Sequence, residues 1–285
     1  MLGTDVVNVD DMDAIVNAFN NDDMETFMEA SGQSGNSNRQ VGLPRLNINY
    51  DAETEDGRSL PRGSWKMYLD GRFIYAEEVH VQFILRTYEY SVWDQEAGSF
   101  TAKSVQKPTL NGMFPDTLGG NKCGRLTREE EDALSKDDIN YLNSRAVVCN
   151  QVMYGKITGL FKTADGEEVQ VANQPMVAYF KRSGFKPISD FIASLSKQKK
   201  LMQKCLVSLT TAKQKKGSVT FWIPVPTLYQ EVTILDEDKE LMAMFAETVK
   251  AHNESVMNEH REAVKLIADD DDIDLAADFD DANAA

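Results

Sequence analysis

The chain is short of the residues on which most enzyme chemistry depends. Its 285 residues include three histidines (His80, His252, His260) and three cysteines (Cys123, Cys149, Cys205). An odd number of thiols without a C-x-x-C spacing argues against a disulfide framework and predicts a reducing cytoplasm. Walker, G-x-S-x-G and H-E-x-x-H motifs are all missing, so no nucleophile, phosphate cradle or zinc pair is written as a contiguous motif. His80 and the three cysteines fit no zinc-finger spacing. The acids Glu129, Glu130, Glu131 and Asp132 sit at adjacent positions of a predicted helix, where they fan out around the axis. No catalytic residue, cofactor or metal is expected. No apolar run approaches the ~20 residues that cross a bilayer, and acids stand where an export signal needs bases.

Bases are missing from both ends. Residues 1–30 hold eight acids, from Asp5 to Glu29, and no Lys or Arg; residues 269–285 hold eight more, from Asp269 to Asp281, and again no base. The formal charge of −16 is therefore carried by the ends, and residues 31–268 sum to zero. Within that neutral body the stretch 181–216 has ten bases and a single acid, Asp190. A chain-wide acidic balance thus hides a local reversal of the kind that binds a polyanion.

Hydrophobic spacing divides the chain into four regions. Over residues 10–29, Met12, Ile15, Val16 and Phe19 follow the i, i+3, i+4, i+7 pattern of an amphipathic helix. A Gly/Ser/Asn linker reaches residue 42. Residues 43–235 alternate mostly as strands: Trp65, Met67 and Leu69 lead into the turn Asp70-Gly71, and hairpins are also expected around Thr163–Gly166 and at Lys215-Lys216-Gly217. Residues 79–93 put Val79, Val81, Phe83 and Leu85 on one face and Arg86, Tyr88 and Tyr90 on the other, in a strand long enough to require a bend or bulge. An insertion over 108–145 carries one charged helical segment. A helix over 187–200 opens at Pro187, and a long helix spans 236–268. Residues 269–285 read as a disordered acidic tail. Seven to nine short, twisted strands with these additions predict a mainly β (α+β) fold, an OB-like small β-barrel with an inserted helix and helical flanks.

A single nucleic-acid strand needs a positive groove and aromatic faces on which bases stack. Candidates of both kinds lie close together in the β region: Lys66 with Tyr68, Arg86 with Tyr88 and Tyr90, then Lys103 and Lys107. They continue at Lys181, Arg182, Phe185 and Lys186, and at Lys213, Lys215, Lys216 and Trp222. Packing in a barrel interior is the competing use of every aromatic in this set.

The tail interrupts its acids with apolar residues, at Asp269, Asp270, Asp271, Asp272 and Ile273 and again at Asp278, Phe279 and Asp280. In this it resembles the single-stranded DNA-binding proteins of tailed phages and bacteria, which join an OB-type barrel to a tail of this composition. It departs from them in carrying six residues after Phe279, an acidic N-terminal arm and a long helix before the tail. The resemblance implies a non-enzymatic protein that coats single strands in DNA replication or recombination. Its tail would compete with DNA for the basic groove and recruit replication proteins when displaced. The partners implied are single-stranded DNA and, through the tail, replication proteins or RNA polymerase, with no membrane and with a homo-oligomer allowed. A phage transcription cofactor recruiting RNA polymerase and a structural assembly protein are the alternatives.

Overall fold

The computed structural model describes residues 42–94 and 97–281, with side chains as far as Ala268. The helix expected over 10–29 and nearly all of its linker lie outside the described residues.

The described chain is mostly β, with one large mixed sheet. Its strands are β1 (Arg45–Ile48), β2 (Trp65–Leu69), β3 (Arg72–Ala76), β4 (Val79–Asp94), β5 (Ser99–Lys103), β6 (Val148–Thr163), β7 (Glu168–Lys181), β8 (Cys205–Lys216) and β9 (Val219–Glu231). β2 and β3 are joined as the sequence predicts: Asp70 and Gly71 both take positive φ (49° and 79°), and Leu69 pairs with Arg72. Two left-handed residues give a turn whose twist matches that of the strands. The last hairpin turns one step later than expected. Lys216 pairs with Val219, which leaves Gly217-Ser218 as the loop and Lys215 and Lys216 within the strand.

Five strands pair in a closed circuit. β1 pairs with β2, β2 with β3, β3 with β6 and β6 with β7, all antiparallel, and β7 returns to β1 in parallel. Trp65, Met67, Ile74, Phe161 and Met176 belong to the core shared by these strands, where each is buried. β6 also carries the rest of the sheet: His80 to Ser91 of β4 pair with it, β8 and β5 pair with opposite halves of β4, and β9 pairs with β8.

A bulge in β4 changes which residues share a face. Phe83 pairs with Gly155 and Leu85 with Tyr154, so Ile84 is the extra residue. Gly155 is required at this point, because a Cβ there would overlap the carbonyl oxygen of Gln82. One inserted residue inverts the alternation beyond it. Arg86, Tyr88 and Tyr90 oppose Met153, Gln151 and Cys149, so they continue the face of Val81 and Phe83 and not the opposite one. The period-2 pattern had assigned them to the other side because a bulge leaves no mark in composition.

Helices cover both faces. The helical segment expected in the insertion is two short helices, α1 (Arg128–Ala133) and α2 (Ile139–Ala146). α1 is opened by a capping box in which Thr127 and Glu130 satisfy each other's amides, and α2 is opened by Asp138, whose carboxylate accepts the Asn140 amide at 2.8 Å. α3 (Phe185–Lys197) starts two residues before Pro187 and buries Ile188, Ile192 and Leu195 in the main core. α4 (Asp236–Asp281) buries Phe245 against the other face of the sheet, with Ile84, Val152 and Tyr154, and buries Val256 in a separate cluster with Tyr88, Val105 and Phe114. Its backbone runs helical through most of the segment read as a disordered tail, since neither Gly nor Pro occurs between 236 and 281 to end it. The side chains of Asp270, Asp271, Asp272, Ile273, Asp278 and Phe279 are outside the described residues.

Candidate nucleic-acid interface

α3 packs on the face of the sheet that carries Val81 and Phe83, and at its N-terminal end a cleft of about 890 Å³ opens. Tyr90 and Cys149, a cross-strand pair, line its floor. Arg182, Phe185 and Lys186 form one wall, and the insertion forms the other with Lys122, Arg125 and Arg145. Among the described residues five cations line this cleft and no carboxylate does.

The insertion wall is built by local hydrogen bonds. The buried Asp116 carboxylate accepts the amides of Leu118 and Gly120 (both 3.0 Å) on one oxygen and of Cys123 (2.6 Å) on the other. Arg125 donates to the Ser144 carbonyl at 2.8 Å and lies 3.3 Å from Glu131, which is also 3.7 Å from Arg145. The Ser144 hydroxyl first, then Arg125 and Arg145, hold the Glu131 carboxyl below its usual range. Lys186 pairs with Asp190 at 2.5 Å. Lys122 and Arg182 have no carboxylate partner among the described residues. Both also have positive φ (55° and 49°), a conformation that costs an L-residue roughly 1–2 kcal/mol. Strain of this kind gathers at binding sites, where the surrounding structure enforces it.

The floor supplies a ring without supplying charge. Tyr90 stands edge-on to Phe114 (5.1 Å between centroids), and the Lys122 ammonium lies 5.8 Å from its ring. Burial pushes the Tyr90 hydroxyl up to about 12 and also raises the Cys149 thiol. Both groups are therefore neutral near pH 7, and neither is set up as a nucleophile.

A second, smaller cleft of about 260 Å³ is lined by other residues of the same 181–186 segment. Tyr50, Tyr179 and Trp222 line it together with Lys181. Tyr50 is edge-on to Trp222 at 5.8 Å, and its hydroxyl donates to the Trp222 carbonyl at 3.2 Å. The Arg45 guanidinium stands 4.1 Å above the Tyr179 ring. Burial, then Arg45 and Arg182, hold the Lys181 ammonium below the usual lysine range.

The fold gathers some of the predicted residues and disperses others. Tyr90, Arg182, Phe185 and Lys186 line the larger cleft, and Lys181 and Trp222 the smaller. Lys213 is paired in register with Trp222, and Lys215 and Lys216 lie exposed farther along the same hairpin. Tyr88 is buried, its ring 6.0 Å from Phe185, and Arg86 is half-buried over it at 4.8 Å. Lys107 is turned onto the carbonyls of Asn111 and Met113, and Lys103 stands over Phe100. Lys66 pairs with Asp51 at 2.7 Å and, with Tyr68, belongs to the β2–β3 hairpin. The acids of the 51–56 loop line a pocket beside that hairpin.

The basic stretch 181–216 is not a single face. Lys197 ends α3, about 18 Å along its axis from Phe185, Lys199, Lys200 and Lys204 follow it in the chain, and Lys200 is paired with Glu231.

Lys122, Arg125, Arg145, Arg45 and Tyr50 were not legible as site residues. In sequence, Arg125 and Arg145 flank an acidic run that masks them, and only the packing of α1 and α2 turns them toward Arg182.

No group of three or more His, Cys, Asp or Glu that would hold a metal ion occurs among the described residues, and no helix among them is long and apolar enough to cross a membrane. No family model, curated protein or solved structure matches the chain, so the site is read from its own geometry.

Proposed function

We propose that the chain binds single-stranded nucleic acid, as a DNA-binding protein of replication or recombination, and that the larger basic cleft is its binding surface. The observation that carries this reading is a concave surface with five cations, an aromatic floor and, among the described residues, no lining carboxylate. Cations track a phosphate backbone and ring faces take unpaired bases, each stack contributing ~1–3 kcal/mol. The closed circuit of five strands supports an OB-like barrel as the body, and three unpaired thiols support work in a reducing cytoplasm. The acidic residues 269–285, tethered to the same chain, compete for the cleft at high effective concentration and become available to replication proteins once DNA displaces them.

Anisotropy titrations with labelled oligothymidylate, duplex DNA and RNA test this, using the full chain and one ending at residue 268. The single strand binds best, log affinity falls with log salt by ~0.7 per phosphate contacted, and the truncated chain binds more tightly at low salt. Failure of both chains to bind the single strand in dilute buffer overturns the function. A tail deletion that leaves affinity unchanged or weakens it removes self-competition alone.

A further inference from the structure

The two clefts share one short segment, whose residues are divided between them. Lys181, Ser183 and Gly184 line the smaller cleft, whereas Arg182, Phe185 and Lys186 line the larger. Segment 181–186 is therefore a ridge with an aromatic recess on each side: Tyr90 and Phe185 on one, Tyr50 and Trp222 on the other. Its crest is cationic. Burial first, then the charges of Arg45 and Arg182, depress the Lys181 ammonium, and among the described residues neither Lys181 nor Arg182 forms a salt bridge with a carboxylate. Like charges held together in this way, with Arg182 in the left-handed conformation (φ 49°), are relieved by an anion bound between them.

We propose that a bound single strand straddles this ridge, with one phosphate on Lys181 and Arg182 and the bases on either side of it entering opposite clefts. Because this path presupposes nucleic-acid binding at the cleft, it deepens that reading by defining the substrate. The strand must let neighbouring bases diverge across a phosphate, which an unpaired strand does readily and a stacked, paired duplex does not. Discrimination against duplex then follows from the shape of the ridge and needs no base-specific hydrogen bond.

The test measures oligothymidylate affinity and its salt dependence for the full chain and four single variants. Arg182→Gly removes the charge and suits the left-handed backbone, with Arg182→Asn as a second form that also tolerates it. Arg182→Gly is expected to weaken binding ~10-fold and to lower the salt slope by ~0.7, the share of one phosphate. Tyr50→Leu and Phe185→Leu, on opposite sides of the ridge, are each expected to weaken binding by roughly 5-fold to 100-fold. Thermal unfolding of each variant separates loss of fold from loss of contact. If Phe185→Leu weakens binding and Tyr50→Leu does not, the strand keeps to the larger cleft; the straddled path is then wrong while the function stands. Unchanged affinity and slope in both Arg182 variants has the same consequence. A full chain that binds no oligothymidylate ends both.

Discussion

Trp222 packs directly on Gly63. A Cβ added to Gly63 would overlap Nε1 and Cδ1 of the indole and lie 2.7 Å from Cε2. Gly63 also has a φ of +85°, and its carbonyl accepts a hydrogen bond from the Thr211 hydroxyl. The glycine thus fixes both the path of the loop before β2 and the position of the ring that lines the smaller cleft. Gly63→Ala is expected to destabilise the fold by ~2 kcal/mol or more, from left-handed strain and overpacking together. It also pushes the indole outward, so tryptophan emission shifts to the red in the folded variant. An unshifted spectrum with unchanged melting would show that the contact is readily relaxed.

Asp238 fixes the start of α4 to the sheet. Its carboxylate lies 2.5 Å from the Lys156 ammonium and accepts the Leu235 amide at 2.9 Å, and Gln82 approaches at 3.4 Å. Burial works to raise its pKa, but the hydrogen bonds from Lys156 and the Leu235 amide and the Lys156 charge outweigh it, and the net shift is downward from 3.8. A carboxyl depressed in the folded state contributes stability that is present above its ordinary value and lost as pH falls through its native one. Asp238→Asn leaves Lys156 without its carboxylate in a nearly closed site and is expected to cost about 3–5 kcal/mol. Urea unfolding from neutral pH down to ~3 should show an acid-side loss in the parent that is smaller in the variant.

Glu89 has the opposite sign. It is buried between β4 and α4, accepts a hydrogen bond from Gln106 at 2.9 Å and a longer one from Asn150 at 3.4 Å, and lies 3.8 Å from His252. Burial raises its pKa above 4.5, against the smaller pull of His252, the Gln106 hydrogen bond, Lys103 and Arg45. The unfolded chain releases this proton first, so the Glu89 contribution falls as pH rises from the ordinary glutamate value to the raised native one, and is level above it. Glu89→Gln removes that decline. Urea midpoints recorded against pH should be flatter in the variant over that interval, and a parallel curve would show that another group sets the slope.

How far the sequence could be read varies from element to element, with a physical cause in each case. The Asp70-Gly71 turn was legible because two left-handed residues in succession have few other uses. The core positions of Trp65 and Met67 were legible from a period of two, and Ile188, Ile192 and Leu195 from a helical period. The face of Arg86, Tyr88 and Tyr90 was not, since the displaced alternation comes from one residue, Ile84, that resembles its neighbours. The charge of 181–216 was legible, but its division was not: a 13-residue helix carries Lys197 away from Lys186 whatever their sum.

The sequence by itself determined the charge asymmetry, the mainly β character, most of the turns and the apolar stripe of each helix, because these depend on residues a few positions apart. Tertiary structure alone decided which cations meet. Arg182 lines one cleft with Lys122 and Arg145 only because β6 leads out of the insertion and α3 begins at the same cleft. The two clefts on either side of Lys181 and Arg182 likewise exist only once the strand circuit has closed. Side chains distant in sequence are brought together by strand pairing and helix packing, and nothing in their local composition records it.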